Sequence, residues 1–115
     1  MAENGNGKFG GREVVIVEAA RTPIGRGHPE KGYYKDVHPS NLLARTYSEL
    51  FERAGVDPAE TDDVVTGCVN QFGPQGLNIG RNAWLEAGLP IETPATTIDR
   101  APQRNCSLMI SGSEQ

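Results

Sequence analysis

The stretch PATTIDR, residues 94–100, decides the fold class of this 115-residue chain. Its threonines and isoleucine lie between a proline and a charged pair, which is the pattern of a short buried strand. A helical pattern precedes it over residues 78–87, with Asn78 as a candidate N-cap and a glycine and a proline after the last turn. Before that helix, the small and β-branched residues 64–69 predict another strand.

Two more elements precede this strand–helix–strand unit. Residues 14–17, Val-Val-Ile-Val, predict a strand covered on both faces in a parallel sheet. After a Gly- and Pro-rich loop, residues 39–54 carry apolar side chains at helical spacing, and Gly55 supplies a left-handed stop. Alternating strands and helices build crossover connections, so the sequence predicts an α/β fold.

The composition limits the classes of function. The net charge of -4 and the pI near 5.1 give no basic patch, so we expect no nucleic-acid partner. Hydrophobic residues make up 37% of the chain and aromatic residues 6%, a modest supply that favours part of a larger fold. No apolar run is long enough for a membrane span, and residues 1–11 predict a flexible tail without a secretory signal.

The two cysteines, Cys68 and Cys106, lie far apart and outside any Cys-x-x-Cys or Cys/His cluster. The spacing predicts neither a metal site nor a disulfide framework. A reducing compartment suits two free thiols, so we expect a cytoplasmic protein.

Four blocks of the sequence resemble, in order and spacing, the signatures of the thiolases. They are AARTPIG at 19–25, GCVNQFG at 67–73, AGLP at 87–90 and ATTIDR at 95–100. The resemblance implies a partial thiolase-like fold, made of the first strands and helices of the N-terminal half of a layered αβαβα architecture. Residues 12–115 would then be a truncated thiolase N-terminal domain.

The resemblance also implies a reaction. Thiolases are acyl-CoA C-acyltransferases, which cleave 3-oxoacyl-CoA with coenzyme A or run the reverse Claisen condensation through a cysteine thiolate. Coenzyme A thioesters would be substrates, with no further cofactor and no metal. The family further implies a homo-oligomer, or association with a missing thiolase portion that carries the remaining catalytic residues.

The chain departs from the family where the nucleophile is expected. The last block normally runs into x-Cys-Gly-Ser, but Pro102 stands at the nucleophile position and Cys106 follows four residues late. Cys106 is interpreted either as a displaced nucleophile at the start of a helix through residues 108–110, or as an ordinary residue of that helix. We therefore assign no catalytic residue and expect the chain to be inactive alone.

Three hypotheses for function follow from this departure. The chain is an altered thiolase-type acyltransferase, or it is a non-catalytic remnant or association fragment. A generic α/β binding domain is the third, and it leaves the order of the four blocks unexplained.

Other conspicuous residues have simpler structural interpretations. Cys68 lies in an apolar strand pattern and predicts a buried structural thiol. His28 and His38 flank prolines, which indicates solvent-facing or helix-start positions. Trp84 on an apolar helix face predicts a core or subunit contact, and residues 73–76 predict a turn.

Overall fold

The computed structural model describes residues 13–99 and the backbone of residues 108–112. Its helices and strands are α1 Pro39–Ala54, β1 Thr61–Gly67, α2 Ile79–Glu86, β2 Ala95–Ile98 and β3 Leu108–Gly112, with short 3₁₀ turns at Pro58–Glu60 and Gly73–Gln75. The predicted tail, residues 1–11, lies outside the described residues, as do Pro102 and Cys106.

The predicted strand–helix–strand unit is present. Strands β1 and β2 are parallel, with Val64 opposite Ala95 and Gly67 opposite Ile98, and α2 lies between them in the chain. A parallel pair joined through a helix is the unit of α/β proteins, so the predicted fold class is confirmed.

The third strand of the sheet is one that the sequence does not predict. Strand β3 pairs antiparallel with the other edge of β1, and the sheet order is β2-β1-β3. The expected helix through residues 108–110 is therefore wrong. A strand edge presents unpaired N–H and C=O groups, and pairing with the free edge of β1 satisfies those of the short apolar segment.

The predicted strand at residues 14–17 is also wrong. These residues form no strand, and the exposed fractions of Val14, Val15, Ile16 and Val17 are 61%, 61%, 92% and 65%. Both edges of β1 are already occupied, by β2 and β3. A β-branched run needs a partner strand and a covering layer to become a buried strand, and the described residues supply neither to this run.

Helix α1 begins and ends where the sequence indicates. His38 is its N-cap and accepts a hydrogen bond from the backbone N–H of Ser40, while Pro39 occupies the first turn. Gly55 closes the helix with φ of 65°, a left-handed conformation that costs glycine least.

The core lies between the two helices and the sheet. It consists of Ala44 and Tyr47 of α1, Val64 of β1, and Ala83 and Trp84 of α2. The rings of Tyr47 and Trp84 meet edge to face at a centroid distance of 5.7 Å. The indole N–H of Trp84 donates to the carbonyl of Pro90 at 2.7 Å, so the one polar atom of this buried ring is satisfied. Trp84 is thus a core residue.

Only one face of the sheet is covered in the described part of the chain. Val64, Thr66 and Cys68 alternate along one face and are buried, as period-two geometry requires. On the other face Thr96 is exposed and Ile98 is 45% exposed, so β2 is not the buried strand that the sequence predicts.

Candidate functional site

The candidate site lies at the carboxyl ends of β1 and β2, beside the first turn of α2. Ligands of α/β proteins bind at this edge of a parallel sheet, because the crossover loops begin there. The residues that shape the edge are Asn78, Gly80, Thr97 and Cys68, together with Asp99, the last described residue of the segment that contains β2.

Asn78 joins α2 to β2 through three hydrogen bonds. Its carboxamide N–H donates to the carbonyl of Ala95 at 2.9 Å, and its oxygen accepts from the Thr97 hydroxyl at 2.6 Å and from the Arg81 N–H at 3.2 Å. The residue has φ of 57°, a left-handed conformation that asparagine tolerates better than most residues. The sequence predicts the N-cap but not the bonds to β2.

Gly80 brings the first turn of α2 against both strands. Its N–H donates to the Thr97 hydroxyl at 3.1 Å, and its carbonyl accepts from the Tyr47 hydroxyl at 3.2 Å. A Cβ at Gly80 would lie 2.9 Å from the Thr66 Cβ, which is closer than van der Waals contact permits. Only glycine fits this position without movement of the helix or the strand.

Tyr47 closes the buried end of this network. Because its single proton goes to the Gly80 carbonyl, its oxygen accepts from the Thr66 hydroxyl, 3.2 Å away. Burial raises the pKa of Tyr47 above its ordinary value, and the hydrogen bond from Thr66 opposes that rise. The phenol therefore stays neutral and serves as a structural donor.

The start of α2 has no free amide at Gly80 or Arg81. Both N–H groups are used within the protein, by Thr97 and by Asn78. Helix N-termini bind anions through such groups, and here the side chains of the sheet and the cap already occupy them. This network therefore fixes α2 relative to β2, and these two amides are not available to an anion.

Cys68 continues from β1 at the same edge, and its thiol is buried. The residue is 5% exposed, its N–H donates to the carbonyl of Ile98 at 2.9 Å, and its sulfur donates to the carbonyl of Asn70 at 3.6 Å. A thiol buried in this way lacks the access that a reactive cysteine needs. The predicted structural role of Cys68 is confirmed.

The two residues discussed for the nucleophile, Pro102 and Cys106, fall in the segment 100–107 outside the described residues. Both interpretations of Cys106 assume a helix through residues 108–110, with Cys106 either at its start or within it. That segment is strand β3 instead. The helix whose N-terminus would lower the pKa of the Cys106 thiol is thus not formed there.

The two histidines have structural roles. The Nδ1 atom of His28 accepts from the backbone N–H groups of Glu30 and Lys31 at 3.1 and 3.0 Å, which caps a turn. His38 caps α1, as described above. Within the described residues, neither imidazole belongs to a group of side chains that could hold a metal ion.

A polar cluster that the sequence does not predict joins the start of α1 to the end of α2. The Ser40 hydroxyl donates to one carboxylate oxygen of Glu86 at 2.6 Å, and the Asn41 carboxamide donates to the other at 3.1 Å. These hydrogen bonds, Ser40 first, lower the pKa of Glu86. Nothing local signals the contact, since Ser40 and Glu86 are 46 residues apart.

Comparison with known proteins identifies the framework. Residues 14–109 match the family described as thiolase, N-terminal domain. The chain belongs to the thiolase family. The strand–helix–strand unit and the candidate site at its carboxyl edge lie wholly within the matched residues.

Three curated thiolases illustrate the similarity. A 3-ketoacyl-CoA thiolase of Saccharophagus degradans is 48% identical over 90 residues, which are 77% of this chain and 22% of the relative. The steroid 3-ketoacyl-CoA thiolase FadA6 of Mycobacterium tuberculosis is 41% identical over 88 residues, 76% of this chain and 21% of the relative. A 3-ketoacyl-CoA thiolase of Chromohalobacter salexigens is 42% identical over 90 residues, 77% of this chain and 22% of the relative.

The chain therefore spans about a fifth of the length of the curated relatives that it matches. Within its described residues, no helix has the length and apolar character needed to cross a membrane.

Proposed function

We propose that this chain supplies the N-terminal strand–helix frame of a thiolase-type acyl-CoA C-acyltransferase and does not itself transfer acyl groups. One observation carries the proposal. Strand β2 and its last residues keep the family pattern, and Pro102 stands three positions beyond Asp99, where the pattern requires a cysteine. The strand–helix–strand unit β1–α2–β2 is retained, whereas the expected nucleophilic cysteine is replaced by proline.

Proline cannot substitute for the cysteine thiolate. Acyl transfer through a covalent intermediate needs a nucleophilic atom, and the pyrrolidine ring has none. Proline also lacks the N–H that could stabilise an oxyanion, and it disfavours the helical conformation for the preceding residue, Ala101. The replacement by proline therefore removes the reacting sulfur atom and also disfavours the turn that would present it to a substrate.

The substrate class follows from the relatives, whose names specify 3-ketoacyl-CoA thiolases. The proposal therefore names 3-oxoacyl-CoA and coenzyme A as the substrates of the complete catalytic unit, with no further cofactor. We place this unit in the cytoplasm, as a homo-oligomer or as an assembly of this chain with a complementary thiolase portion.

The test is intact-mass spectrometry of the purified chain after incubation with acetyl-CoA, paired with an assay of acetoacetyl-CoA cleavage. We expect no acetyl adduct and no cleavage, because Pro102 stands at the nucleophile position and the thiol of Cys68 is buried. The matched variant is Cys106→Ser. A stable acetyl adduct that disappears in this variant would establish Cys106 as the nucleophile and refute the proposed inactivity.

One observation favours association with another chain as a second function. The β-branched run at residues 14–17 is largely exposed, with Ile16 at 92%. An exposed strand-like segment of this kind adds readily to a free sheet edge. Size-exclusion chromatography of this chain mixed with a relative that lacks the region equivalent to 14–109 should give a joint peak. Loss of that peak in Ile16→Lys, but not in Glu18→Lys, would assign the contact to the apolar run.

A further inference from the structure

We propose that a surface cavity lined by Arg21, Arg45 and Arg53 binds the diphosphate group of a small molecule. The cavity lies between residues 20–23 and the exposed side of α1, it shares no residue with the candidate site, and its volume is about 210 Å³. This is the room of about seven water molecules at ~30 Å³ each, enough for a small anion. The proposal is independent of the acyltransferase function.

Two separate parts of the chain form the cavity. Residues 20–23 contribute Arg21, and α1 contributes Arg45, Glu49 and Arg53. Residues four apart lie on one face of a helix, with about 6 Å of rise between them. Arg45 and Arg53 are therefore separated by about 12 Å along α1, and Arg21 reaches the same cavity from the facing segment.

The three guanidinium groups have no ion-pair partner in the described part of the chain. The one salt bridge found there joins Lys35 and Asp36. Arg81 differs from these three residues, because its guanidinium group has a structural role and donates to the carbonyls of Ile91 and Thr93. Among residues 13–99, no such bonds hold Arg21, Arg45 or Arg53, so this part of the chain leaves their donors available to a ligand.

The charge of the cavity selects an anion. Three guanidinium groups and the Glu49 carboxylate give a local charge of about +2 in a protein whose net charge is -4. The planar guanidinium matches phosphate oxygens with two parallel N–H donors. A diphosphate carries more oxygens and more charge than a single phosphate, so it can accept hydrogen bonds from several guanidinium groups at once.

Glu49 provides a control with the opposite sign. Its carboxylate lies in the same cavity and repels an anionic ligand. Removal of this charge by Glu49→Gln should strengthen binding, whereas Arg45→Gln and Arg53→Gln should weaken it. A basic surface that binds anions without specificity would respond to a charge change anywhere on it, and not only to changes in the residues that line the cavity.

The experiment is isothermal titration calorimetry of the full chain at low ionic strength with inorganic pyrophosphate, ADP and adenosine. We expect saturable binding of pyrophosphate and ADP and none of adenosine. Each single arginine variant should weaken binding by about two- to fivefold, the range of exposed charge pairs, and Glu49→Gln should tighten it by about twofold. The matched control is Arg26→Gln, an exposed arginine outside the cavity, which should leave the affinity unchanged.

The source of the diphosphate is decided by comparing the two anions. Tighter binding of ADP assigns a nucleotide ligand, and tighter binding of pyrophosphate assigns the free anion. Absence of saturable binding, equal binding of adenosine, or an equal loss in Arg26→Gln would overturn the proposal. The emission of the buried Trp84 reports whether each variant keeps the core, so a folding defect is recognised separately.

Discussion

Replacement of Gly80 by alanine should destabilise the contact between α2 and the sheet. The added Cβ would lie 2.9 Å from the Thr66 Cβ and 3.1 Å from the Thr97 hydroxyl. Both neighbours are close to their own backbones, so neither can rotate away as the tip of a long side chain would. Helix α2 must therefore move away from the strands.

The magnitude follows from three contributions. Overpacking of a filled site costs about 1–3 kcal/mol. Displacement of α2 weakens the hydrogen bonds of Gly80 to Thr97 and Tyr47, at about 1 kcal/mol each. Alanine gains at most about 1 kcal/mol over glycine in helix propensity, and less in a first turn. We expect a net loss of about 2–4 kcal/mol, a large share of the stability of a small domain.

Two measurements check this expectation. The fluorescence of Trp84, the one tryptophan of the chain, follows urea unfolding of the core. Hydrogen exchange of the α2 amides follows the local opening, and 2 kcal/mol corresponds to about 30-fold lower protection. Gly27→Ala is the matched control, because a Cβ at Gly27 meets nothing within 4 Å.

A double-mutant cycle separates the steric cause from a general effect of alanine. Thr66→Ala removes the hydroxyl and the methyl group that oppose the new Cβ, so it should relieve part of the cost. The expected coupling between the two sites is about 1 kcal/mol or more. If Gly80→Ala proved as stable as Gly27→Ala, the close packing of α2 on β1 would not limit stability and the reasoning would fail.

Three further outcomes are expected. Since the pKa of Glu86 is lowered in the folded state by Ser40 and Asn41, its stabilising effect is present above the unfolded pKa and lost as the pH falls through the folded value. Glu86→Gln should therefore flatten the acid limb of a pH–stability curve, and an unchanged limb would contradict the assignment. Iodoacetamide should modify Cys68 only after denaturant is added, as mass spectrometry can show, and rapid labelling of the native chain would disprove its burial. Ile16→Lys should lower the light scattering of concentrated samples, because it interrupts an exposed apolar run, and equal scattering would place the association elsewhere.

The sequence predicts the elements whose signals are local. The N-cap at His38 or Asn78 and the left-handed Gly55 lie within a few residues of the helix ends that they define. The parallel pair β1–β2 follows from strand, helix and strand in close succession, which leaves few topologies to consider. These parts of the fold depend on interactions between residues that are close in sequence, so they can be predicted from the sequence.

The candidate site could be predicted only in outline. The pattern places the carboxyl edge of the sheet after residues 64–69 and 94–100, and it identifies Cys68 as a buried thiol. It does not predict that Asn78 bonds to Thr97 or that Ser40 bonds to Glu86, because these partners are 19 and 46 residues apart. Polar residues at such separations carry no periodicity that would pair them.

The two wrong elements have one physical cause, which is that a strand is defined by its partner. Residues 14–17 have the stronger local preference for an extended chain, with four β-branched side chains in succession. Residues 108–112 have one, Ile110, and yet they form β3. Strand β1 offers only two edges, of which the crossover through α2 assigns one to β2. Strand β3 occupies the remaining edge, so residues 14–17 do not pair with β1. Local sequence thus predicts which segments are able to pair, whereas the tertiary arrangement of the chain determines which of them do.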